Sequence, residues 1–130
     1  MTELQPPPPR MLGPLTRTDF VRYQGASGDM NPVHHDEGFA TAAGFPAPLA
    51  VGMYTAGALN AWATDWLGPR QVRRTRTRWH PPCFPGDVLT LNGTVEREYD
   101  EGDEARVDLV LTATRGDDVV LTVWMTFVRL

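Results

Sequence analysis

The sequence predicts an α+β domain, a single long helix wrapped by a curved antiparallel β-sheet, and three observations lead there. The apolar period changes from 3.6 residues to 2 near Gly68-Pro69. Before that point, helix-like segments are separated by Gly and Pro breaks. After it come four alternating stretches joined by turn sequences. Helices gathered in one half and strands in the other indicate segregated layers rather than alternating βα units.

The first elements are short. Residues 1–14 read as a Pro-rich arm, because Pro6 to Pro9 favour a stiff polyproline II segment outside the core. The domain proper then covers 15–130. Thr16 or Thr18 caps a first helix with apolar Phe20, Val21 and Tyr23, which Gly25 and Gly28 end. A second helix runs from Asp36, its cap, to Ala43, with Gly44 as the stop.

The longest helix spans Gly52 to Leu67 and ends at Gly68-Pro69. Tyr54, Ala58, Trp62 and Trp66 form an i, i+4 stripe, and Ala56, Gly57, Ala61 and Ala63 keep the remaining surface small. A helix apolar nearly all round is a buried one. Strands follow at Gln71–Trp79, Asp87–Tyr99, Glu104–Thr114 and Val119–Val128. A turn-rich stretch, His80 to Asp87, separates the first two. Asp100-Glu101-Gly102-Asp103 and Arg115-Gly116-Asp117-Asp118 make hairpin links between the rest. Such a sheet covers the helix on one side only and leaves edges open, so a dimer is expected.

Composition narrows the function classes. At 130 residues, with 42% hydrophobic and 22% charged residues, the chain is one ordinary globular domain. A net charge of −4 supplies no basic footprint for nucleic acid and disfavours anionic membranes. All 12 basic residues are arginine, read as compositional bias. Cys83 is alone, so no intrachain disulfide forms and a reducing cytoplasm is the expected compartment. The start, MTELQPPPPR, lacks the apolar core of a secretory signal, and no run of about 18 apolar residues exists.

The chemistry concentrates in Ser27-Gly28-Asp29-Met30-Asn31-Pro32-Val33-His34-His35-Asp36. Pro32 forces Asn31 out of helical geometry and removes a backbone donor. A bend there turns Asp29 and His34 toward one point. The same residues also suit a plain turn, since Asn-Pro is a turn signal in any protein. A metal site from His34, His35, Asp36 and His80 is disfavoured, because adjacent histidines rarely share a metal. Neither a metal nor another cofactor is expected.

Ser27-Gly28-Asp29-Met30-Asn31-Pro32-Val33-His34 resembles the hydratase motif of the MaoC-like dehydratases, or R-specific enoyl-CoA hydratases. Gly44-Phe45-Pro46, Ala50-Val51-Gly52-Met53, Trp66-Leu67-Gly68 and Phe84-Pro85-Gly86-Asp87 continue the similarity. The resemblance implies a hot-dog fold, dimers or hetero-oligomers with another hot-dog subunit, and acyl thioesters of coenzyme A or acyl carrier protein as substrates. It places Asp29 and His34 on the catalytic pair and Gly52 on the glycine whose N–H binds the thioester carbonyl. Asn31 falls on a supporting asparagine, and Met53 beside Gly52 on a substrate-binding or supporting position. Asn60 takes the place of a serine that contacts the catalytic aspartate. One departure is Val51, where relatives commonly have histidine. The implied reaction is R-specific hydration of trans-2-enoyl thioesters or the reverse dehydration. A subunit of a hetero-oligomeric dehydratase, a non-catalytic binding subunit and an acyl thioesterase stand beside it. Arg70, Arg73, Arg74, Arg76 and Arg78 suit either a solvated strand face or an anionic ligand.

Overall fold

A computed structural model of the protein describes residues 3–130. The order is β1 (Arg10–Leu12), α1 (Arg17–Ser27), a 3-10 turn (Pro32–His34), α2 (Glu37–Ala42) and α3 (Gly52–Leu67). A second 3-10 turn (Pro69–Gln71) leads to β2 (Val72–Trp79), β3 (Leu89–Glu101), β4 (Glu104–Arg115) and β5 (Asp118–Val128). One antiparallel sheet runs β1-β3-β4-β5-β2 and curves around α3, the hot-dog arrangement.

Local chemistry sets the boundaries. Thr16, not Thr18, caps α1: its hydroxyl accepts from the Asp19 N–H, and the Asp19 carboxylate accepts from the Thr16 N–H. Gly28 ends α1 in the left-handed conformation, with φ of 82°. Asp36 caps α2 through the Phe39 N–H. Glu101 pairs with Glu104 and Arg115 with Asp118, so both hairpin turns are two residues long, each opened by a glycine at positive φ.

The core lies between α3 and the inner sheet face. Leu109, Leu111, Val123, Met125 and Phe127 point inward from β4 and β5, alternating with half-buried neighbours. Trp62, 1% exposed, is the largest side chain on the helix side. It packs where Gly93 stands in β3. A Cβ at Gly93 would lie 2.5 Å from Leu111 Cδ2 and 2.9 Å from the Trp62 ring. Glycine leaves the recess that the indole fills.

The arm departs from the expectation of a segment outside the core. Its first two residues lie outside the described ones. Arg10–Leu12 form β1, pairing with Leu91, Thr90 and Leu89 of β3. Pro8 carbonyl accepts a 3.1 Å hydrogen bond from Trp62 Nε1, and Leu4 and Leu12 pack on the core. The reason is twofold: β3 offers an unpaired edge, and a buried indole N–H needs an acceptor.

An ion cluster ties the sheet together at one end. Glu104 accepts from Arg73 at 2.7 Å and from Arg106 at 2.8 Å. Those hydrogen bonds, Arg73 first and Arg106 second, hold its carboxyl at about 2 against an ordinary 4.5.

Both contacts have measurable consequences. Gly93→Ala forces the Trp62 ring or Leu111 aside and costs about 1–3 kcal/mol in urea unfolding. Because the folded value for Glu104 lies below the unfolded one, its contribution is complete above pH 4.5 and fades as pH falls toward 2. Glu104→Gln therefore lowers stability at pH 7, and the difference from wild type shrinks across that acid window, as melting temperatures measured against pH will register.

Candidate active site

The bend after α1 is held by its own polar groups. Ser27 Oγ accepts from the Asp29 N–H, Asp29 Oδ1 from the Asn31 N–H, and Asn31 Oδ1 from the Val33 N–H. This chain of side-chain-to-backbone bonds fixes the segment in turns and starts the 3-10 turn at Pro32. Gln24, 2% exposed, braces it from inside α1: its amide donates to the Asn31 carbonyl at 3.0 Å, and its Oε1 meets His35 Nδ1 at 2.9 Å.

His34 is buried at 8% exposure. Its Nδ1 lies 2.8 Å from the Leu49 carbonyl. A carbonyl only accepts, so Nδ1 carries the proton and the neutral ring keeps a lone pair on Nε2. Nε2 faces Asp29 Oδ2 at 3.9 Å. That span is longer than a direct hydrogen bond and matches two groups that share one water. Asp29 itself is half exposed, anchored by Oδ1 and turned to His34 by Oδ2.

Helix α3 begins beside this pair. Val51 precedes it, 2% exposed, and no side chain caps the helix. The Tyr54 N–H bonds back to the Val51 carbonyl at 3.0 Å, which leaves the Gly52 and Met53 N–H groups without intrahelical or side-chain partners, and the helix dipole puts partial positive charge there. Trp79, from the end of β2, lies against Gly52 and donates its indole N–H to the Gly52 carbonyl at 3.0 Å. A Cβ on Gly52 would lie 2.9 Å from that nitrogen. Glycine is required for this approach.

His34, Gly52 and Trp79 open on one cavity of about 300 Å³. Phe45, Leu49, Pro81, Pro82, Cys83 and Val120 form much of its mostly apolar wall. The Pro81–Cys83 side is fixed by Arg115, which donates to the Pro82 carbonyl at 3.1 Å and to Asp87 at 2.9 Å, and by Ala50 N–H to the Cys83 carbonyl at 2.8 Å. Burial pushes the Cys83 thiol up; Asp87 adds to this and Arg115 opposes it. The thiol stays protonated near neutral pH, so it is wall and not nucleophile.

The remaining candidates sit elsewhere. Met53 is 54% exposed and does not line the cavity. Asn60 does not serve Asp29: its amide donates to the Ala56 carbonyl and its Oδ1 accepts from Thr75 Oγ1 on β2. Eight residues of helix rise carry it about 12 Å from Gly52, which explains the difference. Among the described residues, no group of three or more His, Cys, Asp or Glu is placed to hold a metal ion. No helix there is long and apolar enough to cross a membrane.

Comparison with known proteins decides the family. A family model described as MaoC like domain matches residues 4–116. The chain belongs to the MaoC-like dehydratase family. This MaoC-like domain is 34% identical over 109 residues to a 3-hydroxybutyryl-CoA dehydratase of Methylorubrum extorquens, covering 82% of this chain and 68% of that protein. An enoyl-CoA hydratase of Mycobacterium tuberculosis is 35% identical over 98 residues, 73% of this chain but only 32% of that protein. In fold, the (R)-hydratase from A. caviae involved in PHA biosynthesis superposes with a TM-score of 0.83 over 100% of both chains at 20% identity.

Sequence reasoning missed Gln24, Trp79 and the Pro81–Cys83 wall of this MaoC-like domain. Gln24 had a local signal, since it stands four residues after core Phe20 on the inner stripe of α1. Trp79 and the wall reach the site only through the sheet register, which pairs Trp79 with Leu121.

Gly52→Ala is expected to displace the Trp79 indole and break its bond to the helix terminus. Near-ultraviolet circular dichroism and tryptophan fluorescence will report that change, while far-ultraviolet signal stays as in the wild type.

Proposed function

We propose that the protein adds water to trans-2-enoyl thioesters with R stereochemistry, and catalyses the reverse dehydration of 3-hydroxyacyl thioesters. The observation that carries this reading is the pair of acceptor atoms, His34 Nε2 and Asp29 Oδ2, facing each other across 3.9 Å beside an uncapped helix terminus and an apolar cavity. Family membership and the named relatives supply the reaction class.

The chemistry needs three things, and each has a residue. Water must lose a proton as its oxygen attacks C3. His34 Nε2 holds the lone pair that accepts it, and Asp29 orients the same water. The electrons of the C2–C3 double bond then move toward the thioester, and negative charge grows on the carbonyl oxygen. The Gly52 N–H, at the positive end of α3, stabilises that charge. C2 finally takes back a proton from the same pair, so one molecule of water is added and no cofactor is consumed. With both groups on one side of the substrate, oxygen and proton reach the same face in a syn addition, and the R configuration at C3 follows from which face of the double bond the cavity turns toward the pair.

The apolar wall from Phe45 to Val120 takes the acyl chain, the thioester lies at Gly52, and the coenzyme A or acyl carrier protein that bears it stays outside the cavity. A second hot-dog subunit, of this chain or another, completes the assembly over the exposed sheet edge.

Crotonyl-CoA tests the assignment. Asp29→Asn and His34→Ala should each reduce the rate of enoyl absorbance loss at least about 100-fold relative to wild type, with far-ultraviolet spectra unchanged. Wild-type rates in both variants would remove the dyad. Release of free thiol without loss of the double bond would instead identify a thioesterase.

A further inference from the structure

Helices α1 and α2 each begin on a capping side chain, Thr16 and Asp36. Helix α3 begins on Val51, whose side chain caps nothing, although α3 is the longest helix and carries the candidate site at its start. A capping oxygen accepts from the second or third N–H of a helix and so sits over the first turn. At α3 it would occupy the place where a ligand oxygen has to lie. Leaving the cap out keeps that place open, at a usual cost of about 0.5–2 kcal/mol in helix stability. The first helical residue is also glycine, whose backbone is the least restrained of any. An open terminus of this kind needs another restraint.

The restraint comes from the carbonyl side. The Gly52 carbonyl accepts from Thr55 Oγ1 at 3.0 Å and from Trp79 Nε1 at 3.0 Å. Thr55 is buried on the same helix, so its bond travels with the turn. Trp79 is 27 residues away in sequence and belongs to the sheet. It pairs with Leu121 of β5, and the next residue, His80, donates its N–H to the Val120 carbonyl at 3.1 Å. Both of those β5 residues are buried. Of the two donors, Trp79 is the one that fastens the turn to a separate element.

Burial does not compel this bond. Trp62 is enclosed in the core, and its indole N–H must find a protein acceptor. Trp79 is 47% exposed, so water would serve its N–H nearly as well. The ring nevertheless lies against Gly52, where any Cβ would stand 2.9 Å from Nε1. Glycine at 52 and tryptophan at 79 fit as a pair. The missing side chain that loosens the turn is also what admits the indole that holds it.

We propose that Trp79 is a positioning residue for the N-terminus of α3. Its indole N–H grips the Gly52 carbonyl from the sheet side, removes the backbone freedom of the glycine, and keeps the Gly52 N–H trained on the cavity without covering it. The indole thus does the work of a cap from the side that leaves the N–H groups free. The inference rests on the hydratase reading for what that N–H binds, whereas the restraint itself is independent of it.

Trp79→Phe keeps a ring against Gly52 and removes the donor; Trp79→Leu carries the same expectation and replaces it if circular dichroism shows the first variant misfolded. Nitrogen-15 relaxation reads the Gly52 amide with no substrate present. Its order parameter should fall from near the rigid value of about 0.85 toward about 0.6 in the variant, while α3 beyond its first turn stays as in the wild type. With crotonyl-CoA, kcat should fall about tenfold and KM change less than about twofold, because the donor acts most strongly once charge has grown on the carbonyl oxygen. An unchanged Gly52 order parameter overturns the proposal whatever the turnover. A looser Gly52 with unchanged kcat, or a loss confined to KM, overturns it as well and leaves Trp79 as packing alone. A wild type that hydrates no enoyl thioester would sink the hydratase reading instead, and a fall in the order parameter would then still uphold the restraint.

Discussion

The contact of Trp62 with the backbone at Gly93 sets the depth at which α3 sits in the sheet. The indole enters a recess left by a missing side chain, and a Cβ at Gly93 would meet the ring at 2.9 Å. The same indole holds the Pro8 carbonyl and so fastens β1 to the sheet edge. From that anchor the helix runs back to Gly52. Its height there determines whether Trp79 can reach the Gly52 carbonyl and whether His34 and the helix terminus share a cavity.

The candidate-site segment shows how little secondary structure is needed to fix such an arrangement. Asp29 and His34 do not belong to a long helix or strand. They are set by a relay of hydrogen bonds between near neighbours in sequence from Ser27 through Val33, with Gln24 behind it. Each bond is local in sequence except that of Gln24, which ties the bend to α1. The order of the site is therefore largely written in consecutive residues. For that reason the bend is legible in the amino-acid sequence, and so is the placement of Gly52 at a helix start.

Other parts are not legible there, for physical reasons that differ from residue to residue. The strand at Arg10–Leu12 is only three residues long, follows four prolines, and exists because β3 offers it an edge. Trp79 reads as one more aromatic in an alternating strand; its approach to Gly52 depends on the register of β2 against β5. The Pro81–Cys83 wall gives no periodic signal at all, being shaped by Arg115 from another strand. Asn60 misleads in the opposite direction. A polar residue on a buried helix attracts a functional reading, yet its amide satisfies Ala56 and Thr75 and serves packing between α3 and β2. Local patterns report local geometry, and tertiary partners remain invisible to them.

The backbone at Leu49 ties several parts of the site together. Its carbonyl fixes the protonation of His34 Nδ1, its N–H bonds the Val33 carbonyl, and Ala50 immediately after it holds the Cys83 wall. The His34 ring, the cavity wall and the entry to α3 thus hang on two consecutive peptide units. A shift of that backbone would move the His34 ring and the N-terminus of α3 together. Replacing a wall side chain such as Phe45 or Val120 would reshape the cavity while leaving these backbone hydrogen bonds in place. The pocket can be re-upholstered but not re-framed.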